Sequence, residues 1–282
     1  MTLGDIGLDP TLILACGAIG VVAGFLAGLL GIGGGVVIVP ALLLVFDAFG
    51  VVTLTDGAAR LAVGTSLATI IVTSLSAARA QLRRGAVRWP IVRSWTPALL
   101  LGSFASGPVA ALLPQAALPW FIGVFLLIVA LIMLAQWRPA PHRTLPGLAG
   151  NLAMGSGAGL VSGLAGIGGG NVIVPTLVFH NVPIQQAAAT ASALGVPIAL
   201  SGTLGFLLSG WGVTGLPVGS VGYVWLPAAL IIAAITFLIA PLGVAVAHRS
   251  PAILLKRVFG ALLMTMSLRI LWGAWAAVAG AT

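Results

Sequence analysis

Carboxylates are nearly missing from this sequence. Asp5, Asp9, Asp47 and Asp56 are the only four among 282 residues, and all lie outside the long apolar runs. Ionisable side chains inside a membrane segment mark ion pathways and proton relays. Their absence argues against transport of metal cations, against a di-aspartate intramembrane protease and against carboxylate-based proton coupling. Cys16 is the single cysteine, which excludes an internal disulfide, a cysteine-cluster metal site and dithiol redox chemistry. The three histidines form no His/Cys cluster with metal-ligand spacing, and no serine has a histidine placed for nucleophilic catalysis. These residues point to no enzyme chemistry and to no cofactor. A basic stretch ahead of the first apolar run is missing too. The start reads "MTLGDIGLDP", so that run is not expected to be a cleaved signal peptide.

Apolar residues take the place of charge. They make up 60% of the chain, charged residues only 6%, and the mean hydropathy is +1.21. A soluble domain carries about a quarter charged residues. Runs of the length that crosses a bilayer's hydrocarbon core, about 20 residues, recur along the whole chain. The expected fold class is an all-α integral membrane protein, multi-pass, in the cell (plasma or inner) membrane. The net charge of +8 is then read as arginine-rich cytoplasmic loops, not as a nucleic-acid surface.

An internal repeat organises the chain. "GLLGIGGGVVIVPALL" (28–43) and "GLAGIGGGNVIVPTLV" (163–178) are identical at twelve of sixteen positions, at an offset of 163 − 28 = 135. Trp89 with Trp225 and Gly107 with Gly243 match at 136. Two homologous halves follow, 8–138 and 147–280, joined by a polar, proline-broken linker over 139–146. Each half holds four apolar segments, about 11–46, 58–79, 91–113 and 117–137, then 150–179, 184–209, 221–247 and 251–279.

Basic residues gather in three loops: Arg79 to Arg93, Arg138 to Arg143, and His248 to Arg257. Eight full crossings would put the third cluster on the opposite side from the first two. If each glycine-motif segment instead dips in and returns, each half crosses three times. All three basic clusters then share one face, as the positive-inside rule favours. Three is odd, so the halves would be inverted relative to each other. The expectation is six full crossings plus two broken, re-entrant segments; eight crossings with parallel repeats is the alternative.

Glycine costs about 1 kcal/mol relative to alanine in a helix interior, so a triple glycine within a membrane-grade run needs a reason. Close helix packing is one. A twice-repeated run closed by "VxIVP" favours another, a broken helix lining a cavity. A break at Gly33, Gly34 and Gly35 exposes amides at the start of a short helix from Val36 to about Phe46, and Gly168, Gly169, Gly170 and Asn171 do the same in the second half. Exposed amides and the positive end of the helix dipole form an anion site without any basic side chain. The run does not match G-x-G-x-x-G, which rules out a dinucleotide loop. Hydroxyls follow each motif. Thr65, Ser66, Thr190 and Ser192 occupy comparable places and are candidate ligands, while Thr69 and Thr73 share a face with Thr65. Backbone bonding four residues back is their bland alternative. Arg269, deep in the last segment, is a further candidate anion ligand; Arg60 is read as snorkelling and His180 as a loop residue.

The duplicated "GLxGIGGGxVIVP", followed by "GTS" or "TAS", resembles the sulfite exporter TauE/SafE family of membrane permeases over essentially the whole chain. The resemblance implies transport of small sulfur-containing anions. Thiosulfate-importing relatives use membrane cysteines, which Cys16 alone does not supply, so sulfite or an organosulfonate is the expected substrate. Export is downhill electrically: each negative charge leaving a negative interior gains about 2.3 kcal/mol per 100 mV. A proton- or cation-coupled importer and a non-transporting scaffold are the alternatives. The expected partners are the bilayer and the anion, with a homodimer left open.

Overall fold

The computed structural model describes residues 10–30, 34–52, 57–82, 85–136, 147–247 and 252–279. Ten helices run through them: α1 Pro10–Leu30, α2 Gly35–Phe49, α3 Ala58–Leu82, α4 Trp89–Leu112, α5 Ala117–Leu134, α6 Leu148–Leu164, α7 Gly170–Phe179, α8 Ile184–Ser209, α9 Leu226–Ala247 and α10 Ala252–Ala279. A two-residue hairpin, β1 Ser220–Val221 and β2 Val224–Trp225, precedes α9. The first apolar segment of each half is thus two helices, α1–α2 and α6–α7, split at the glycine run.

The short motif helices start and stop alike. Both open behind a left-handed glycine, Gly34 or Gly169. Both close in a Schellman motif. In the first, Val51 N donates to Phe46 O at 3.0 Å and Gly50 N to Asp47 O at 3.4 Å. In the second, Val182 N donates to Leu177 O at 3.0 Å and Asn181 N to Val178 O at 3.1 Å. Gly50 and Asn181 take the required positive φ.

Six helices are long and apolar enough to span a bilayer: α1, α3, α4, α5, α8 and α10, each over most of its length. α1, expected as part of a re-entrant segment, is among them, and the 22-residue α9, Leu226–Ala247, is predominantly apolar as well. The chain is a multi-pass helical membrane protein, and large apolar side chains such as Leu101, Leu112, Leu230, Leu238 and Trp272 stand exposed, as a lipid-facing surface requires.

The halves interlock. α1 packs on α9, and α6 packs on α4 in the same way, each through a row of glycines. A side chain at Gly20 would meet Ile235 Cβ at 2.9 Å, and one at Gly24 would meet Thr236 Cα at 2.8 Å. On α6, a side chain at Gly155 would meet Ala98 Cβ at 2.9 Å and one at Gly159 would meet Leu99 O at 2.6 Å. Small residues permit this close approach, so for these glycines the packing reading is the correct one. At the centre α3 lies antiparallel to α8: Gly64 adjoins Phe206, Leu67 adjoins Gly202 and Ser74 adjoins Gly195. α5 and α10 are antiparallel too, with Gly123 against Leu271 and Leu134 against Gly260.

The main core gathers Leu42, Phe46, Leu61, Leu67, Phe206 and Trp225, with Phe46 and Trp225 edge to face at 5.8 Å. A second cluster surrounds Trp95. Each indole N–H is bonded, Trp225 to Val218 O at 3.1 Å and Trp95 to Asn151 Oδ1 at 3.2 Å, as buried tryptophans need.

Candidate functional site

Gly34 (φ 61°) and Gly169 (φ 79°) stand at the N-caps of α2 and α7. A side chain in this left-handed region costs about 1–2 kcal/mol, the local reason for glycine at both. Neither cap carries a side-chain hydrogen bond. Gly34 O accepts from Val37 N (3.0 Å) and Ile38 N (3.3 Å), and Gly169 O from Val172 N (3.0 Å) and Ile173 N (2.7 Å). The amides of Gly35, Val36, Gly170 and Asn171 have no hydrogen-bond partner among the described residues. These are the orphan donors of a helix start, at the end of the dipole that favours negative charge.

The two breaks touch. A side chain at Gly35 would meet Gly166 O at 2.7 Å and Ile167 Cα at 3.1 Å. Ser66 Oγ of α3 donates to the same Gly166 O at 2.8 Å, fully buried. From there the second break runs along α3: a side chain at Gly166 would meet Val63 Cα at 3.2 Å, and one at Gly168 would meet Ile70 Cγ2 at 3.0 Å and Ser74 Oγ at 3.3 Å. Asn171, in the first turn of α7, has a buried Nδ2 with no partner. Asp47, the one acid among the described residues, is exposed in the last turn of α2.

The structure places Gly34, Gly35 and Val36 at the start of α2 and Gly168, Gly169, Gly170 and Asn171 at the start of α7, and links the two through Gly166 and Ile167, against which Gly35 and Ser66 lie. Gly33 lies outside the described residues. The other sequence candidates are elsewhere or occupied. Thr65 Oγ1 accepts the N–H of Trp225, just before α9, at 2.9 Å. Thr190 Oγ1 accepts the N–H of Arg88, just before α4, at 3.1 Å. Each threonine thus pins the start of a helix of the other half, and both are fully buried. Ser192 Oγ bonds back to Ala188 O at 2.9 Å, and Thr69 Oγ1 to Thr65 O at 3.0 Å. Arg269 is exposed on α10.

Arg60 does more than snorkel. Its Nε and Nη2 donate to Ala110 O (2.9 Å) and Leu113 O (2.8 Å), covering the carbonyl end of α4, where a cation is favoured. His180 is the C-cap of α7, its Nδ1 2.7 Å from Thr176 O.

Sequence reasoning missed the threonine pins, although a signal existed. The repeated tryptophans Trp89 and Trp225 mark the two pinned helix starts. It also missed Ser74 and Gly195, which have no counterpart in the repeated motif.

A permease-like helical membrane protein with paired helix breaks is what this geometry describes, and comparison with known proteins agrees. Residues 16–270 match the family model for Sulfite exporter TauE/SafE. The chain is 34% identical over 266 residues to a Haemophilus influenzae protein named "Probable membrane transporter protein", covering 92% of this chain and 98% of that one. Proteins with that designation from Xylella fastidiosa (30% identical, covering 95% of this chain and 98% of theirs) and Methanocaldococcus jannaschii (30%, covering 80% and 81%) are also similar. No solved structure matches. The chain belongs to the TauE/SafE sulfite exporter family, a family of membrane transporters.

Proposed function

We propose that the protein moves small sulfur-containing oxyanions, sulfite or organosulfonates, out of the cell. The anion is held between the start of α2 and the turn that leads into α7, by the unpaired amides of Gly35, Val36, Gly170 and Asn171 and the side-chain amide of Asn171. One observation carries this reading: the start of α2, with unpaired donors behind a left-handed glycine, lies against the turn at Gly166 and Ile167 that leads, three residues on, into the matching start of α7. Oriented amides in a region shielded from bulk water hold an anion without a full counter-charge. Arg269 is left out of the proposed site because it is exposed, and Ser192 because its hydroxyl donates within its own helix, while Thr65 and Thr190, which accept a backbone N–H, keep their O–H donors.

The architecture behind it is an inverted repeat, with the α1–α2 and α6–α7 hairpins entering and returning. The antiparallel course of α3 with α8 and of α5 with α10 supports this. Each pair joins corresponding helices of the two halves. A two-fold axis along the helices would make such pairs parallel, whereas an axis across them makes them antiparallel. Transporters commonly place their sites at such repeat interfaces, on broken helices.

The test is anion flux in proteoliposomes across sulfite, sulfate, thiosulfate and taurine, with an imposed membrane potential. Sulfite or taurine efflux, quickened by an interior-negative potential and persisting without a proton gradient, is expected. Flux that collapses with the proton gradient would turn the reading to coupled uptake. A chain that carries none of the four defeats it.

A further inference from the structure

We propose that Ser74 is a substrate ligand at the second glycine break, its hydroxyl donating to an oxyanion seated at the start of α7. This rests on the transport reading above and adds to it a residue that no motif marks.

The buried hydroxyls of α3 sort cleanly. Thr65 is taken by Trp225 N, Ser66 by Gly166 O, Thr69 by Thr65 O, and Thr73 by Ile70 O at 3.2 Å. Ser74, only 4% exposed, is the remaining one, and it makes no hydrogen bond among the described residues. A serine in a helix readily bonds the carbonyl three or four residues back; Ser74 does not, and its Oγ is not fully enclosed, so the hydroxyl is left available to an acceptor from outside the protein.

Its surroundings fit an arriving ligand. Ser74 Oγ lies 3.3 Å from where a side chain on Gly168 would begin and 2.8 Å from where one on Gly195 would begin. Gly168 immediately precedes the left-handed cap of α7. Gly168 and Gly195, on separate segments, lie close against the hydroxyl, and the Gly168 carbonyl oxygen lies 2.9 Å from the same Gly195 Cβ position. The amides of Gly170 and Asn171 and the Asn171 Nδ2 supply further donors on that segment. Apart from the Gly168 carbonyl, these groups are donors, which suits an oxyanion.

The experiment uses the full chain in proteoliposomes with radiolabelled sulfite as the probe, comparing wild type with Ser74→Ala. Loss of one hydrogen bond to a charged ligand predicts a KM raised about ten- to a hundredfold. The saturating rate should be unchanged. The melting temperature without sulfite should also be unchanged, because the hydroxyl holds nothing in the protein, and the upward melting shift that sulfite produces by binding the folded state should shrink. An unchanged KM in a wild-type-like, sulfite-carrying background overturns the role of Ser74 and leaves the transport reading standing. A Ser74→Ala chain that melts lower without sulfite or does not fold also overturns it, since the hydroxyl would then be structural. A wild type that moves none of sulfite, sulfate, thiosulfate and taurine removes the transport reading, and Ser74 with it.

Discussion

Thr65→Val separates a structural hydroxyl from a binding one. Valine copies the shape of threonine but removes the oxygen that accepts the N–H of Trp225 at 2.9 Å. Thr65 is fully buried and Trp225 is 1% exposed, so water cannot replace the lost acceptor. Leaving a buried donor unpaired costs about 1–3 kcal/mol, while polar side-chain bonds between membrane helices average about 0.6 and reach about 1.7 kcal/mol. The backbone N–H is fixed just ahead of α9 and cannot swing to another partner, so the upper part of the second range is expected. At roughly 2–4 °C per kcal/mol for a chain near this size, melting should fall by several degrees. Thr190→Val is the matched control. Its partner is the N–H of Arg88, an exposed residue, where water can substitute, so its shift should be much smaller. Thr65→Ser retains the oxygen and should recover most of the loss. Cys16 provides the assay: it is the sole cysteine and is fully buried, so a thiol-reactive fluorophore reports unfolding of detergent-solubilised protein directly. Equal shifts for Thr65→Val and Thr190→Val, or a Thr65→Ser as unstable as the valine variant, would refute the pin.

Three further outcomes are expected. Cysteine labels in the loops at 81–89, 138–145 and 248–257 should all report the cytoplasm and one in 210–222 the exterior; a label at 248–257 facing outward would defeat the inverted arrangement. On α6, Gly157 has nothing within 4 Å of its Cβ position while Gly159 meets Leu99 O at 2.6 Å. Gly157→Ala should therefore raise stability by about 0.4–1 kcal/mol and Gly159→Ala should lower it, with melting curves deciding the sign of each. Arg60→Leu frees the carbonyls of Ala110 and Leu113 and should cost about 1.5–3 kcal/mol, and a variant as stable as wild type would show that the bonds carry no weight.

The helix breaks were legible because they are local. Three adjacent glycines ahead of an apolar run, occurring twice, change backbone preference on the spot, and helices do begin at Gly35 and Gly170. The repeat was legible because it is written in identities. The partners of the hydroxyls were not. Thr65 and Trp225 are separated by 160 residues and Thr190 and Arg88 by 102, so no local pattern told that each hydroxyl also holds a helix start. Arg269 fails for another reason. Its depth along the chain was visible, but α10 is apolar on all sides, and no periodicity told which side faces out. The glycine rows of α1 and α6 were hidden by the same rule that exposed the motif: an isolated glycine says only that something comes close, not what.

Those rows tie the fold to the site. α1 carries its close-packing glycines toward α9 and α6 carries its own toward α4, so the helix leading into each break is clasped by the opposite half. Because both clasps have the same form, they draw the two glycine runs toward one place, and Gly35 ends against Gly166 and Ile167. Neither half alone could present both helix starts. The break in α1–α2 supplies the free amides of Gly35 and Val36, and the second half supplies the backbone of Gly166 that Ser66 of the first half secures. On the proposed reading, a junction without basic side chains collects positive potential from its helix starts, and the scarcity of carboxylates fits it, since a buried acid beside these amides would bind them itself and leave no donor for a ligand.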